Sequence, residues 1–156
     1  MGQRSILLAG IAVVGLVVAG CDGGKVDKAA ASSLFHLQTG ECFHSSAGTA
    51  GKTVRVKDIS PVPCTDAHDG EVFAVATHPA ARNAAYPGDD AVADFAAAEC
   101  LQRFPAYTGA TYDDSDLEVA SVRPDHESWA DKNDREVGCV LYKKDSTLTG
   151  SRRKAS

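Results

Sequence analysis

Four cysteines spread through the body of the chain, Cys42, Cys64, Cys100 and Cys139, constrain its fold more than any other feature. The 156-residue sequence holds five in all, and an odd count in an exported protein leaves one thiol over. Cys21 stands apart from the other four. It closes an apolar run, Ile6 to Ala19 and then Gly20, that follows a short polar start with one cation, Arg4. The run is shorter than the ~20 residues a membrane-spanning helix needs.

The segment Leu16-Val17-Val18-Ala19-Gly20-Cys21 resembles the lipobox of bacterial lipoproteins, with small residues at the cut. That resemblance implies that residues 1–20 are a lipoprotein signal peptide and that the thiol of Cys21 carries diacylglycerol. The acylated N-terminus would hold the mature protein in the cell membrane on its extracytoplasmic face. With Cys21 on lipid, Cys42, Cys64, Cys100 and Cys139 form an even set in a compartment that permits disulfides. Four cysteines allow three pairings. Cys42–Cys64 with Cys100–Cys139 is favoured, because each of these bonds would tie together neighbouring elements. Each loop so closed contributes roughly 3 to 4 kcal/mol in the chain-entropy account.

Residues 21–33 read as the lipidated cysteine and a flexible tether, small and polar from Asp22 to Ser33. A tether of this kind reaches roughly 20 Å, which keeps the domain near the membrane surface. The domain is assigned to residues 34–143. Its strand candidates are Glu41–Phe43, Thr53–Lys57 ended by Pro61 and Pro63, Glu71–Thr77, Leu117–Val122 and Val137–Tyr142. Glu71–Thr77 is apolar on both parities, as a central strand covered on both faces should be. Between them a helix is predicted, N-capped by Asp89 and ending before Pro105. Val92, Phe95, Ala96, Cys100 and Phe104 share one of its faces. The order predicts an α+β fold: a small, mainly antiparallel, twisted sheet of about five strands, one main helix packed on it, and two disulfide staples.

Charge separates the body from its end. Residues 35–142 carry 18 Asp and Glu against 8 Lys and Arg, an acidic balance that disfavours nucleic acid as a partner. Lys143, Lys144, Arg152, Arg153 and Lys154 make the end basic. On composition residues 144–156 read as a basic disordered tail.

Four blocks then carry a family resemblance. Leu37-Gln38-Thr39-Gly40-Glu41-Cys42-Phe43 comes first, then Val62 through Cys64-Thr65-Asp66-Ala67-His68-Asp69-Gly70-Glu71 to Phe73. Cys100-Leu101-Gln102-Arg103-Phe104 follows, and then Pro124 through Trp129 and Arg135 to Cys139-Val140-Leu141. In order and spacing the set resembles the septum-formation domain family of actinobacterial envelope proteins. Asp131-Lys132-Asn133-Asp134 stands where that family has a Gly-Asp turn. The resemblance implies a non-catalytic, often membrane-attached module associated with division-septum formation.

Cys64 to Glu71 is the densest cluster of reactive side chains. His68 and Glu71 form an H-x-x-E pair that a small metal-dependent envelope hydrolase could use, and Cys42, His44, Cys64 and His68 can be drawn as a tetrahedral zinc set. Against both, oxidised cysteines are not thiolate ligands, and Asp66, His68 and Asp69 are well suited to shaping a polar turn by bonds to backbone. Asp113, Asp114, Asp116 and Glu118 are oxygen donors without the glycine and terminal Glu of a calcium loop. Trp129, the single tryptophan, with Arg135 could anchor a partner or stack on a cell-wall fragment, or could cap the core with Arg135 paired to an acid. His68, Asp69, Glu71, Trp129 and Arg135 are therefore the candidate binding residues. No nucleophile elbow, phosphate-binding loop or dinucleotide fingerprint occurs. The expectation is no enzyme, no cofactor, and two partners: the bilayer through Cys21, and an envelope or division protein of unknown identity.

Overall fold

The central strand fixes the arrangement of everything else. In the computed structural model, which describes residues 37–47, 54 and 56–155, a five-stranded antiparallel sheet has the order β2-β1-β3-β5-β4. The strands are β1 (Cys42–Ser45), β2 (Ile59–Val62), β3 (Gly70–Thr77), β4 (Glu118–Val122) and β5 (Glu136–Tyr142). β3, apolar on both parities, lies in the middle as the sequence pattern requires. All described residues belong to one compact unit, residues 31–156. The signal peptide, Cys21 and the tether lie outside the described residues.

Both faces of the sheet are covered. On one, Phe73, Val137, Cys139 and Leu141 pack under helix α1 (Asp89–Thr108), which contributes Ala96, Cys100, Phe104 and Tyr107. On the other, Phe43, Val54, Val72, Val122 and Val140 form a second cluster that Leu37 and Ile59 join. Alternation sends β3 side chains to both clusters, and a shift of register between Val72 and Ala74 places the consecutive Phe73 and Ala74 in the helix-covered one. Gly138 in β5 is required by this second layer. A Cβ there would collide with the Leu37 side chain.

The two disulfides follow the favoured pairing. Cys42–Cys64 ties the start of β1 to the loop after β2, and Cys100–Cys139 ties α1 to β5 across the helix-covered face, with Cα–Cα distances of 5.2 and 5.3 Å.

Several boundaries differ from those read in the sequence. Of the strand placed at 53–57, residues 53 and 55 lie outside the described set, Val54 is buried, and Val56–Asp58 forms a 3-10 turn. The strand begins at Ile59 and contains Pro61, which an edge strand tolerates because it has one unpaired side. Helix α1 is capped by Gly88, at φ 101°, with no side-chain bond, and Asp89 is its first residue. The helix also runs through Pro105 to a left-handed Gly109 whose N–H donates to the Pro105 carbonyl. Phe104 and Tyr107 pack on Phe73 at ring distances of 5.9 and 6.1 Å, and that packing extends the helix past its proline. A short helix, α2 (His126–Asp131), escapes the periodicity test but has a full capping box between Asp125 and Ser128. After it, Asn133 adopts φ 58°, a conformation that Asn tolerates better than most residues.

The largest difference is at the C-terminal end. Residues 144–155 are not a disordered tail but a strap laid over the end of the sheet. Leu148 is fully buried in the main core and exchanges both backbone hydrogen bonds with His68, at 2.9 and 2.8 Å. One buried leucine contributes about 2 to 3 kcal/mol, which helps offset the cost of ordering the strap.

Replacing Cys100 and Cys139 together by alanine is expected to lower stability by about 3 to 4 kcal/mol, measured by denaturant unfolding of the oxidised proteins. A loss below about 1 kcal/mol would mean that the bond does not constrain the unfolded chain.

Candidate functional site

Glu71 is the second residue of β3, and its side chain enters the helix-covered face with no solvent exposure. A carboxylate there needs hydrogen bonds on both oxygens. Tyr107 Oη from α1 donates to Oε1 at 2.5 Å, Ser151 Oγ from the strap donates to the same atom, and the Arg152 backbone N–H donates to Oε2 at 2.7 Å. Strand, helix and strap thus meet at one anionic group. Burial first, and the bond to Glu71 second, push the Tyr107 phenol up from its ordinary pKa.

The strap continues from this point. Gly150 N–H donates to the Cys64 carbonyl and Lys154 N–H to the Tyr107 carbonyl. The Arg153 guanidinium lies 5.1 Å from the Tyr107 ring centre. The last turn of α1 has no basic residue of its own, and the Lys154 side chain approaches Gly109 at that end. Cations placed there complement the helix dipole.

His68 is fully buried beneath the same strap. Its Nδ1 donates to the Asp66 carbonyl at 2.8 Å, and its Nε2 has no hydrogen-bond partner among the described residues. Asp69 accepts from the Ser45 backbone at 2.9 Å and lies 3.3 Å from His44 Nδ1. The Cys64–Glu71 segment is a polar turn braced by bonds to backbone.

Metal-ligating atoms are not assembled as drawn from the sequence. Among the described residues, the group of potential ligands lying within 4.8 Å of one another is Cys42, Cys64 and Glu71. The two sulfurs are bonded to each other, so neither is a thiolate. His44 is turned to Asp69, and His68 is not part of the group. The acidic loop also fails to converge. Asp114 accepts from Thr111, Glu118 from Tyr112, and Asp116 pairs with Lys143 at 2.6 Å. Lys143 holds the Asp116 carboxyl below its usual range.

Trp129 and Arg135 form a second knot. Trp129 is 1% exposed, and its indole N–H donates to the Ala84 carbonyl at 2.9 Å. The Arg135 guanidinium stacks on the indole at 3.6 Å from the ring centre. Its donors go to the carbonyls of Arg82, Trp129 and Asp134 at 2.8, 3.0 and 2.8 Å. The acid expected to pair with Arg135 is replaced by carbonyls, because the loop after β3 folds over the ring and presents its backbone there. His78, sandwiched by Phe95 and Trp129, is held below its ordinary pKa by burial and by Arg135. Tyr86 packs on Trp129 and donates to Asp89 at 2.5 Å, and its pKa is pushed up to about 12 by burial and that bond.

The structure therefore gathers Cys42, Cys64, His68, Asp69 and Glu71 at one end of the sheet and places Trp129 and Arg135 in a separate knot. Sequence reasoning missed Tyr107, Ser151 and Arg152. The available signal was Leu148, an isolated apolar residue in a basic stretch.

Comparison with known proteins bears on this arrangement directly. A family model described as septum formation matches residues 26–156. The chain belongs to the septum-formation family. The match runs through the strap, so the segment that closes over Glu71 is part of the family domain. No curated protein and no solved structure matches the chain.

Two outcomes are expected. Glu71→Gln puts an amide where two hydroxyls and an N–H donate, lowering stability by about 1 to 3 kcal/mol and exposing Arg152 to Lys154 to trypsin. Unchanged melting and unchanged cleavage would contradict the role given to Glu71. The phenol of Tyr86 ionises near 10.0 in the unfolded chain and near about 12 when folded, so the unfolded state loses its proton first as pH rises. Its stabilising contribution is complete below pH 10.0 and is lost as pH climbs towards about 12. Ultraviolet titration of Tyr86→Phe should lack a late-ionising phenol that the parent shows.

Proposed function

We propose that this protein is a non-catalytic accessory module of the cell envelope, anchored by acylated Cys21 at the extracytoplasmic face of the membrane, that contacts a protein of the division septum. The observation that carries this reading is the burial of His68 and Glu71. Both lie under the strap with no solvent exposure, and both Glu71 oxygens accept hydrogen bonds from the protein itself. A hydrolase built on this pair would have to lift the strap before water or substrate reached either residue. Family membership supplies the link to septation, and the lipobox-like segment supplies the anchor. No helix among the described residues is long and apolar enough to cross a membrane.

A sensor of cell-wall fragments built on Trp129 is less well supported. The indole is 1% exposed, and its N–H and the stacked Arg135 are both engaged by backbone carbonyls.

The expected outcome is septal enrichment of a fluorescent fusion, together with an intact mass that shows lipid on Cys21 and gains four protons on reduction. A uniform peripheral signal with no crosslinked division protein would remove the septal role. Stoichiometric zinc with four free thiols on elemental analysis would replace the whole reading by a metal-dependent hydrolase.

A further inference from the structure

The two edges of the sheet differ in how they are protected. β2 is four residues long and carries Pro61, a residue that blocks strand addition. β4, at the opposite edge, reads Glu118-Val119-Ala120-Ser121-Val122 and pairs with β5 in unbroken register, without proline, lysine or bulge. Its outer row of backbone donors and acceptors faces away from the sheet. Among the described residues no strand pairs with that outer row, and natural sheets rarely leave such an edge open.

Beside that edge runs a groove of about 600 Å³ between β4 and α1. Ala93, Ala97 and Leu101 form its helix wall at four-residue spacing, and Val119, Ser121 and Arg123 supply the strand side at two-residue spacing. The wall is low because its helix residues are mostly alanine. Leu101, 44% exposed, is the large apolar side chain left uncovered among the described residues. The groove is also polarised. Tyr112, bonded to Glu118, lines the apolar end near Leu101, whereas Arg123 stands at the other end. Arg123 makes no hydrogen bond to a described residue. Of the acids around it, Asp125 is engaged as the α2 N-cap and Asp89 by Tyr86, and Asp94 is the one acid that lines the groove itself.

We propose that this groove binds an extended peptide segment of a partner protein, which adds as a sixth strand to the edge of β4 that no described strand pairs with. One apolar side chain of the peptide would rest on Leu101 and Val119, and a carboxylate would reach Arg123. Main-chain bonds to an edge strand supply affinity without sequence, and alternate side chains supply specificity. The five residues of β4 span about 17 Å, enough for five or six peptide residues. A second copy of this chain is disfavoured as the occupant by charge. Two bodies, each with 18 acidic against 8 basic residues in residues 35–142, repel one another. The inference rests on the reading of the protein as a binding module and gives that module its contact surface.

The test uses the full-length acylated protein in phosphatidylcholine nanodiscs, panned against a random heptapeptide display library. Enriched peptides should share an apolar residue and a carboxylate about four residues apart. They should protect the β4 amides from hydrogen exchange and lose at least tenfold in affinity with Ala97→Trp, which fills the groove from an exposed helix position. Arg123→Gln should weaken carboxylate-bearing peptides roughly tenfold and leave their amide analogues unchanged. Intact disulfides and an unaltered melt certify that each variant is folded. No shared pattern among the peptides, or equal binding to Ala97→Trp, would overturn the proposal. So would β4 protection that grows with protein concentration alone, which would identify a second copy as the occupant. Loss of peptide binding with septal localisation intact would remove the groove alone, and the reverse result would remove the division link alone.

Discussion

A carboxylate buried on the middle strand has to be satisfied from within the protein, and in this chain the partners of Glu71 come from three separate parts of the sequence. Tyr107 arrives on a long helix, whereas Ser151 and the Arg152 amide arrive on the last few residues of the fold. Leaving such a group unpaired would cost several kcal/mol, so helix end, sheet end and strap are coupled through it. The Cys42–Cys64 bond sits within a few ångströms of the same carboxylate. Covalent and electrostatic constraints therefore act on one end of the molecule.

This coupling decides how the most reactive-looking segment is read. Cys64 to Glu71 has the residue types of a metal or acid–base site. Its cysteines are joined, its glutamate is fully engaged, and its buried histidine holds the turn through Asp66 while exchanging backbone bonds with Leu148. Trp129 and Arg135 show the same pattern in the loop after β3. Residue types that mark binding surfaces elsewhere are here turned inward to hold long irregular segments. The groove proposed for a partner lies instead along α1 and β4, where most helix side chains are small.

Much of the fold was legible because its signals are periodic or covalent. β3 announced its central position by being apolar on both parities, α1 by the Val92, Ala96, Cys100, Phe104 spacing, and the two disulfides by joining elements already adjacent in the order. The misread parts obey different physics. Pro61 and Pro105 sit inside elements they would ordinarily end, one tolerated by an edge and the other overridden by aromatic packing on Phe73. α2 is too short for periodicity to register, though its Asp125 and Ser128 capping pair was visible. The strap was hidden by composition: its lysines and arginines look solvated, and the one buried anchor, Leu148, has no apolar neighbour in sequence to make a pattern. The Glu71 network was invisible for the same reason, since two of its three donors lie in that stretch.

The claim on which the account rests is that the C-terminal segment is an integral part of the domain, locked to Glu71. Native-state amide hydrogen exchange tests it most directly, because alternate strap amides, Leu148, Gly150, Arg152 and Lys154, have defined acceptors. The account predicts that Leu148, Gly150, Arg152 and Lys154 exchange slowly, with protection approaching that of β3 and β5, while amides without acceptors between them exchange quickly. Exchange at free-peptide rates across residues 146–154, with the sheet still protected, would contradict it.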